Sequence, residues 1–406
     1  MEAFEHYNSG RDHVFPLASF GGSLHRLNTV HLVRSRKGAY PSGYNMSYLN
    51  ANAAFIQGGS YGDVKGSIGP FVAKVDPKTL KPVWYTQLRN TVNAGEWDYP
   101  GAMAIERDGY IYVVSGYRIF KVDPASGKVV KTLELPTMVH NPKTMQIIDN
   151  ITLNAFAGAR PTITRYNGVD YVYLLEKISN AVRYSVHNGV FKLDTSWTPA
   201  AVPYPNQTAG GSLIVFNNWI VGATNSIPAA GRLTVFAINQ GDAKKVLYLQ
   251  PYVNDKIPPE LDHAFAKAAG GKQAVSWADM SLEADPQNGL FYEVETLARK
   301  IAAFKLTSSG ITTVWKKTET TTEWATLVGP QAHRVWVGTD IPGAEIPGKS
   351  KTDRVVFRDA ATGRELARSA RVPYMTQGSA IQPGYGGSVF FPSANGTLIK
   401  VTPSPK

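Results

Sequence analysis

The chain repeats one phrase along its length. The segments FVAKVDPKTLKPVWYTQL, which begins at Phe71, and YRIFKVDPASGKVVKTLEL, which begins at Tyr117, each contain an apolar strand, an Asp-Pro turn and a second apolar run. Weaker copies follow, and their turn positions are Asp76, Asp123, Asp194, Asn239, Thr307, Asp359 and Thr402. Such self-similarity, in units of strands without a long helix, is typical of a β-propeller. We therefore predict an all-β fold, a single propeller of seven four-stranded blades.

The second unit shows how a blade is expected to be built. GAMAIERDG, YIYVVSG, YRIFKVDP and KVVKTLEL follow one another as four short strands, with alternating apolar residues and glycine-containing turns. Asp-Pro and Ser-Gly pairs suit tight turns, because Pro fixes φ and Gly accepts a positive φ. We interpret the repeated Asp as a turn residue rather than as a catalytic group.

The last copy of the repeat, TLIKVTPSPK, ends almost at the C-terminus, so its blade lacks a strand. We predict that residues 24–33 supply this strand beside residues 397–401 and close the ring, which removes an exposed sheet edge. Within a single domain of residues 1–406, residues 1–23 are then an N-terminal extension, and 137–160 and 250–276 are insertions. One short helix is predicted at 258–271, with Pro and Glu at its start and Gly-Gly at its end.

The pieces VDPASGKVVKTLEL, RDAATGRELAR and VDPKTLKPVW resemble the PQQ-like β-propeller repeat family, from about residue 55 onward. Blades of that family have an apolar strand that ends in Asp, a Thr/Ser-Gly turn and a strand with Trp or Val. The family includes quinone-dependent alcohol dehydrogenases and assembly scaffolds, so the resemblance implies a fold and not one activity. The chain has no cysteine, and hence neither the vicinal disulfide of quinoprotein dehydrogenases nor a haem-attachment motif, which argues against a PQQ cofactor.

Composition and charge limit the compartments in which the protein could work and the partners that it could bind. No apolar run approaches the roughly 18 residues of a membrane span, and the first residues, MEAFEHYNSGRD, lack the apolar region of a signal peptide. The absence of cysteine fits a periplasmic or secreted protein. In such a protein, the signal peptide would have been replaced here by Met1. The net charge of +11 favours anionic partners. Basic and aromatic residues are not interleaved, which argues against nucleic acid as the partner.

In a propeller, the loops that lead into the innermost strands open on one face near the axis, where binding sites are usually built. We predict these strands at AAFIQ, AMAIE, PTITR, GSLIV, DMSLE, ATLVG and SAIQP. Aromatic and polar side chains before them predict an axial ligand pocket, although the Trp residues suit a blade-to-blade core equally well. Arg160 stands alone at its entry and would bind an anion through its guanidinium group. The predicted substrate-binding residues are Asn52, Trp97, Tyr99, Arg160, Trp277, Trp324, Thr376 and Gln377.

Two carboxylates and two histidines are predicted to carry chemistry. Asp279 and Glu323 stand at the entries of the fifth and sixth blades, where two carboxyl groups in one pocket could act as acid and base. The same oxygens would also suit Ca²⁺ or simply cap loops. His140 and His263 lie in the two insertions, which we expect to overhang one face. No histidine has local zinc-site spacing, so no metal site is predicted, and G-x-S-x-G and P-loop motifs are absent from the sequence.

Three functions remain open at this point. The first is an extracytoplasmic lyase or hydrolase whose axial pocket takes an anionic or aromatic small molecule or a glycan. The second is a scaffold without enzymatic activity that binds protein partners across one face. The third is a quinone-dependent oxidoreductase. The long insertions and the Trp-bearing entries favour the first, because a plain scaffold needs neither a deep pocket nor extra loops over it.

Overall fold

A computed structural model describes most of the strands and turns of the chain. The described residues are 14–16, 29–59, 68–90, 100–105, 108–115, 118–134, 162–176, 180–188, 190–200, 204, 207–209, 213–226, 233–257, 282–296, 298–321, 325–341, 351–375 and 381–404. Within these ranges the regular structure is β-strand, apart from two three-residue 3-10 turns at Gln331–His333 and Tyr385–Gly387.

The strands follow one another in short runs. The first sixteen are β1 (Val14–Phe15), β2 (Thr29–Arg34), β3 (Gly43–Asn50), β4 (Ala53–Gly58), β5 (Phe71–Val75), β6 (Pro82–Gln87), β7 (Pro100–Ile105), β8 (Ile111–Ser115), β9 (Arg118–Val122), β10 (Val129–Glu134), β11 (Thr162–Tyr166), β12 (Val169–Glu176), β13 (Asn180–His187), β14 (Val190–Leu193), β15 (Gln207–Ala209) and β16 (Ile214–Phe216). The rest are β17 (Trp219–Ser226), β18 (Val235–Asn239), β19 (Val246–Leu249), β20 (Glu283–Asp285), β21 (Leu290–Glu295), β22 (Lys300–Leu306), β23 (Ile311–Thr318), β24 (Thr326–Val328), β25 (Val335–Asp340), β26 (Thr352–Asp359), β27 (Glu365–Arg368), β28 (Val372–Pro373), β29 (Gln382–Pro383), β30 (Val389–Pro392) and β31 (Leu398–Ser404).

The strands form seven antiparallel sheets, which are the blades of a β-propeller, as predicted. The blades are β3–β6, β7–β10, β11–β14, β15–β19, β20–β23, β24–β28 and β29–β31 with β2. The innermost strand of each blade is its first, except in blade 4, where β15 and β16 both pair with β17 and share the innermost position. Innermost strands contact one another around the axis: β3 with β7, β11 with β16, β16 with β20, β20 with β24, and β24 with β29. The second blade has the four strands predicted from its repeat.

The ring closes through the N-terminal strand, which confirms the predicted closure. β2 pairs antiparallel with β31 from Thr29↔Ser404 to Arg34↔Ile399, so the first and last strands of the ring share one blade. His31 donates to or accepts from the Ser404 hydroxyl at 3.0 Å in this pairing. The described part of this strand covers residues 29–34, one residue beyond the predicted end at 33. Thr402 lies inside β31 and not in a turn, which corrects the seventh turn position.

Five of the seven repeat positions lie in the turn between the third and fourth strands, where a side-chain oxygen of Asp, Asn or Thr accepts a backbone N–H group. Asp123 Oδ1 accepts from Ala125 N at 2.9 Å and from Ser126 N at 2.7 Å, and Asp76 and Asp359 do the same in their own turns. This confirms the interpretation of these residues as turn formers. Asp194 differs, because it follows β14 and forms an ion pair with Arg183 at 2.5 Å.

A tryptophan of one blade packs on the turn of the next, which explains why the repeat keeps Trp and Gly. Trp84 Nε1 donates to Pro124 O at 3.2 Å, and Trp315 Nε1 donates to Ala360 O at 2.9 Å. A Cβ on Gly127 or Gly363 would lie 2.6 Å from the indole of the Trp facing it. Only glycine leaves room for this stacking, so the turn motif is also the contact between blades.

Several predicted segments lie outside the described residues. These are the helix at 258–271 and the whole insertion at 137–160, whereas residues 250–257 of the second insertion are described as a turn and extended chain. Within the described part of the chain, no helix is long and apolar enough to span a membrane.

Candidate functional site

The axis is occupied on one side by the N-terminal strand. β1 pairs in parallel with the free edge of β24, the innermost strand of blade 6, and therefore lies on its axial side. The Phe15 ring is fully buried and contacts the Tyr385 ring at 5.5 Å, while Tyr385 contacts Tyr48 of blade 1 at 6.0 Å. Tyr385 lies in the turn after the innermost strand of blade 7, on the exit face, opposite the entry face where innermost strands begin. These aromatic contacts lie towards the exit face.

At the entry face, the ends of the innermost strands are polar rather than aromatic. Six of these strands carry a buried polar residue at or near their first position, while apolar clusters of described side chains lie within six of the blade interfaces. We call this set the entry ring: Asn45, Thr162, Gln207, Glu283, Thr326 and Gln382. Buried polar groups are costly unless they are hydrogen-bonded, so their concentration at one end of the axis requires polar partners there.

Some members of the entry ring are satisfied by the fold itself. The Thr162 hydroxyl donates to Leu213 O, and Gln207 Oε1 accepts from the hydroxyls of Thr224 and Thr234, the second at 3.1 Å. These contacts join the blade 3 and blade 4 strands near the axis. Because Thr162 and Gln207 already have these partners, neither residue is assigned to a ligand.

Asn45 is different. Its side chain is 1% exposed, and within the described residues neither its amide nitrogen nor its oxygen has a hydrogen-bond partner. It lies opposite Gln57 in the β3–β4 pairing, and the next residue on the same face, Ser47, reaches Met103 O of blade 2 at 3.5 Å. An unsatisfied buried amide costs about 1–3 kcal/mol for each group left unpaired. Asn45 is therefore placed to bind a polar group that offers both a donor and an acceptor.

Blade 5 brings three buried carboxyl groups to the entry end. Glu283 begins β20, while Glu293 and Glu295 end β21 on the other face of the sheet, and all three are at most 2% exposed. The Tyr252 hydroxyl donates to Glu293 O at 2.8 Å. Its pKa is raised well above the ordinary value, first by burial and then by the carboxylates of Glu293, Glu295, Asp255 and Glu283. This tyrosine stays protonated and acts as a donor.

Other buried charges have structural partners. Arg334 pairs with Asp285 at 3.0 Å between blades 5 and 6. Arg358 and Arg368 share Glu319, and Arg368 also reaches Asp340 at 2.5 Å. Burial lowers the pKa of Arg358 from 12.5 to about 10, which still leaves it charged at neutral pH. These ion pairs join neighbouring blades, and they lie in outer or exit-side positions rather than in the entry ring.

One predicted site residue is described, and it lies at the wrong end of its blade. AAFIQ is β4, the second strand of blade 1, because GYNMSYLN forms the innermost strand β3. Asn52 is therefore in the β3–β4 turn on the exit face, where its exposed backbone N–H donates to Asn50 Oδ1 at 2.9 Å. β4 was taken for the innermost strand because β3 and β4 are both largely apolar and the repeated pattern begins only with β4. The other predicted residues lie outside the described part: Trp97, Tyr99, His140, Arg160, His263, Trp277, Asp279, Glu323, Trp324, Thr376 and Gln377.

Sequence reasoning missed Asn45, Glu283, Glu293 and Glu295. The sequence carried only a weak signal: each of these polar residues directly follows an apolar or aromatic one, while other polar residues share the same strands. Among the described residues, no group of three His, Cys, Asp or Glu side chains is arranged to hold a metal ion.

Known proteins resemble the chain in fold but not in sequence. No protein-family model and no curated protein matches the sequence. Among solved structures, the quinohemoprotein alcohol dehydrogenase of Comamonas testosteroni matches all of this chain and 81% of its own, at 12% identity and a TM-score of 0.57. Quinohemoprotein alcohol dehydrogenase ADHIIG of Pseudomonas putida HK5 matches 99% of this chain and 80% of its own, at 11% identity and a TM-score of 0.45. The chain thus shares the PQQ-like propeller fold.

Proposed function

We propose that this propeller is an enzyme of the lyase or hydrolase type that works outside the cytoplasm. Its substrate would be an anionic or aromatic small molecule or a glycan, bound on the axis at the entry face. The observation that carries this proposal is Asn45, a buried amide at the entry end that has no hydrogen-bond partner among the described residues. A scaffold that acts through its outer surface gains nothing from such a group, whereas a polar substrate would satisfy it.

The arrangement along the axis supports a substrate that approaches from the entry face. Phe15 and Tyr385 pack together towards the exit face, so polar binding groups are concentrated at the other end. Glu283 begins an innermost strand there, four residues after Asp279, and a buried carboxyl group at that place suits general acid or base chemistry. Arg160, directly before β11, would supply the cation for a substrate anion.

A quinone-dependent oxidoreductase fits this chain less well. The shared fold does not choose an activity. The chain offers no cysteine for a vicinal disulfide or for haem attachment.

The test begins with ligand discovery and then uses one substitution. Wild-type protein is screened by thermal shift and calorimetry against anionic aromatic compounds and oligosaccharides, and hits are assayed for turnover. Asn45→Leu is expected to be about as stable as wild type without ligand, because it removes an unsatisfied amide while keeping the side chain branched at the same carbon. It should weaken ligand binding roughly tenfold or more, since two lost hydrogen bonds correspond to about 1–3 kcal/mol.

The matched control is Asn254→Leu, the same change at an exposed turn position. It should leave binding and turnover unchanged. If Asn45→Leu bound the ligand and turned over substrate as well as wild type does, the role of Asn45 would be disproved. A protein that binds no compound of the panel but captures a protein partner would be a scaffold.

A further inference from the structure

The buried amide of Asn45 limits the kind of ligand that the entry ring can bind. The side chain is 1% exposed, and within the described residues neither Nδ2 nor Oδ1 has a hydrogen-bond partner. A carboxamide group carries two donor hydrogens on its nitrogen and two acceptor lone pairs on its oxygen. A ligand that satisfies both atoms must therefore present an acceptor and a donor next to each other.

The classes of ligand considered for this site differ in how they meet that requirement. A carboxylate or sulfate group offers only acceptors, so it would bind Nδ2 and leave Oδ1 buried without a partner. An aromatic ring without polar substituents satisfies neither atom. Two adjacent hydroxyl groups satisfy both, because each hydroxyl donates and accepts and can rotate to suit its neighbour. Adjacent hydroxyl groups are the common feature of carbohydrates.

The charges of the entry ring also favour a neutral ligand. Five of its six members are uncharged, the sixth is Glu283, and the ring as defined contains no Lys, Arg or His. Glu293 and Glu295, which are also buried, lie at the end of β21 in the same blade as Glu283. An anion would meet carboxyl groups rather than a cation among these residues, and repulsion between like charges is strong where water is excluded. Neutral hydroxyl groups avoid this repulsion.

The position of β3 shows where the two hydroxyl groups would lie. Asn45 and Ser47 are two residues apart and therefore share one face of this strand. The Ser47 hydroxyl donates to Met103 O of β7 at 3.5 Å, so this face is turned towards the innermost strand of blade 2. Ser47 is fully buried, and its oxygen keeps lone pairs that can accept a further hydrogen bond. The amide of Asn45 thus lies at the entry end of the contact between blades 1 and 2.

We propose that the entry ring binds a neutral carbohydrate and that Asn45 holds two adjacent hydroxyl groups of one sugar unit. Oδ1 accepts a hydrogen bond from one hydroxyl, and Nδ2 donates a hydrogen bond to the other. This inference rests on the proposed function, because it names the substrate class of the same site, and it selects the glycan among the substrates considered there.

The first test compares ligands on wild-type protein, so it does not depend on any substitution. Maltotriose, cellotriose and xylotriose are the neutral probes, and trigalacturonate, sulfate and benzoate are the anionic ones. Isothermal titration calorimetry is expected to show binding of at least one neutral trisaccharide. Monodeoxy analogues of that sugar are then compared. Removal of either hydroxyl of one adjacent pair should weaken binding roughly tenfold, because it leaves one atom of the Asn45 amide unsatisfied.

The second test uses two substitutions whose order of effect depends on the class of ligand. Asn45→Leu removes the donor and the acceptor, whereas Asn45→Asp keeps acceptors for sugar hydroxyls and adds negative charge. Asn45→Asp should therefore bind the neutral trisaccharide more tightly than Asn45→Leu does, and both should bind it more weakly than wild type. An anion held by Asn45 would give the opposite order of the two variants, because Asp repels it. Asn254→Asp and Asn254→Leu, at an exposed turn position, are the matched controls and should bind as wild type does.

Three results would overturn the inference. They are the failure of every neutral probe to bind, equal binding of all monodeoxy analogues and their parent, and binding of an anionic probe with the opposite order of the two Asn45 variants. If Asn45→Asp does not fold, as judged by circular dichroism, the deoxy analogues alone decide.

The proposed function is tested separately by turnover. A neutral sugar that binds through Asn45 but is never converted would support this inference and contradict the enzyme. Turnover of an anionic aromatic compound by a protein that binds no neutral sugar would support the enzyme and overturn the inference.

Discussion

The contact between a tryptophan of one blade and the turn glycine of the next can be tested at Gly363. This residue has φ +69° in the Asp359 turn, and an added Cβ would lie 2.6 Å from Cδ2 of Trp315. Trp315 is buried and donates to Ala360 O at 2.9 Å. Gly363→Ala therefore imposes two separate penalties, an unfavourable backbone conformation and a displaced indole.

The size of each penalty follows from the geometry. A positive φ costs a non-glycine residue about 1–2 kcal/mol. Overpacking against the buried indole adds about 1–3 kcal/mol, and loss of the Trp315 hydrogen bond adds about 1 kcal/mol. We expect Gly363→Ala to lower the free energy of unfolding by about 3–6 kcal/mol. Gly109→Ala is the matched control, because Gly109 has φ +82° but no atom within 4 Å of the added Cβ. Gly109→Ala should lower the free energy of unfolding only by the about 1–2 kcal/mol that the positive φ costs.

The assay is urea denaturation of both variants, followed by circular dichroism, with the slope m used to check that the transition stays comparable. The difference between the two variants isolates the blade-to-blade contact from the backbone strain. Equal losses in Gly363→Ala and Gly109→Ala would refute the reasoning, because the indole would then contribute nothing to the cost.

Three further predictions concern closure, pH and buried charge. Deleting residues 1–34 should lower the melting temperature by roughly 10 °C or more, because six residue pairs between β2 and β31 are lost; an unchanged melting temperature would contradict the pairing. Hydrogen bonds, first from Lys121, lower the pKa of Asp108 from 3.8 to about 2. The unfolded state thus binds more protons in this window, and this contribution to stability is lost as pH falls from about 4 towards 2. The melting-temperature difference between wild type and Asp108→Asn should shrink over that range, whereas a constant difference would argue against the shift. Glu319→Gln should lower the free energy of unfolding by up to about 3–5 kcal/mol in urea, because it removes the buried carboxylate that Arg358 and Arg368 share and leaves Arg358 only Glu365, at 3.5 Å; Asp170→Asn, at an exposed ion pair, should change it little.

The repeat was readable because its determinants are local. Asp123 and Gly127 form a turn through contacts within five residues, so the same pattern marks the turn wherever it occurs. The cases in which this pattern fails to mark a turn also have a physical cause. Asp194 and Thr402 match the pattern in residue type but lie outside such turns, since strand pairing in blade 3 and ring closure place them elsewhere.

The candidate site was less predictable than the fold. Asn52 was assigned to the entry face because β4 resembles an innermost strand, and only the pairing with β3 shows that it is the second strand. Asn45 lies in an apolar strand that the repeat does not include, so its burial could not be inferred from the turn pattern.

By itself, the sequence determined the blade number, five of the seven turn residues and the source of the closing strand. The first two follow from short-range chemistry, namely period-two alternation and turn-forming residues, and the third from a last repeat copy that has too few strands for a blade. Only the tertiary structure decided which strand is innermost, which end of the axis is polar and that β1 lies beside β24. These depend on contacts between residues far apart in the chain, such as Phe15 with Tyr385, for which the local pattern carries no information.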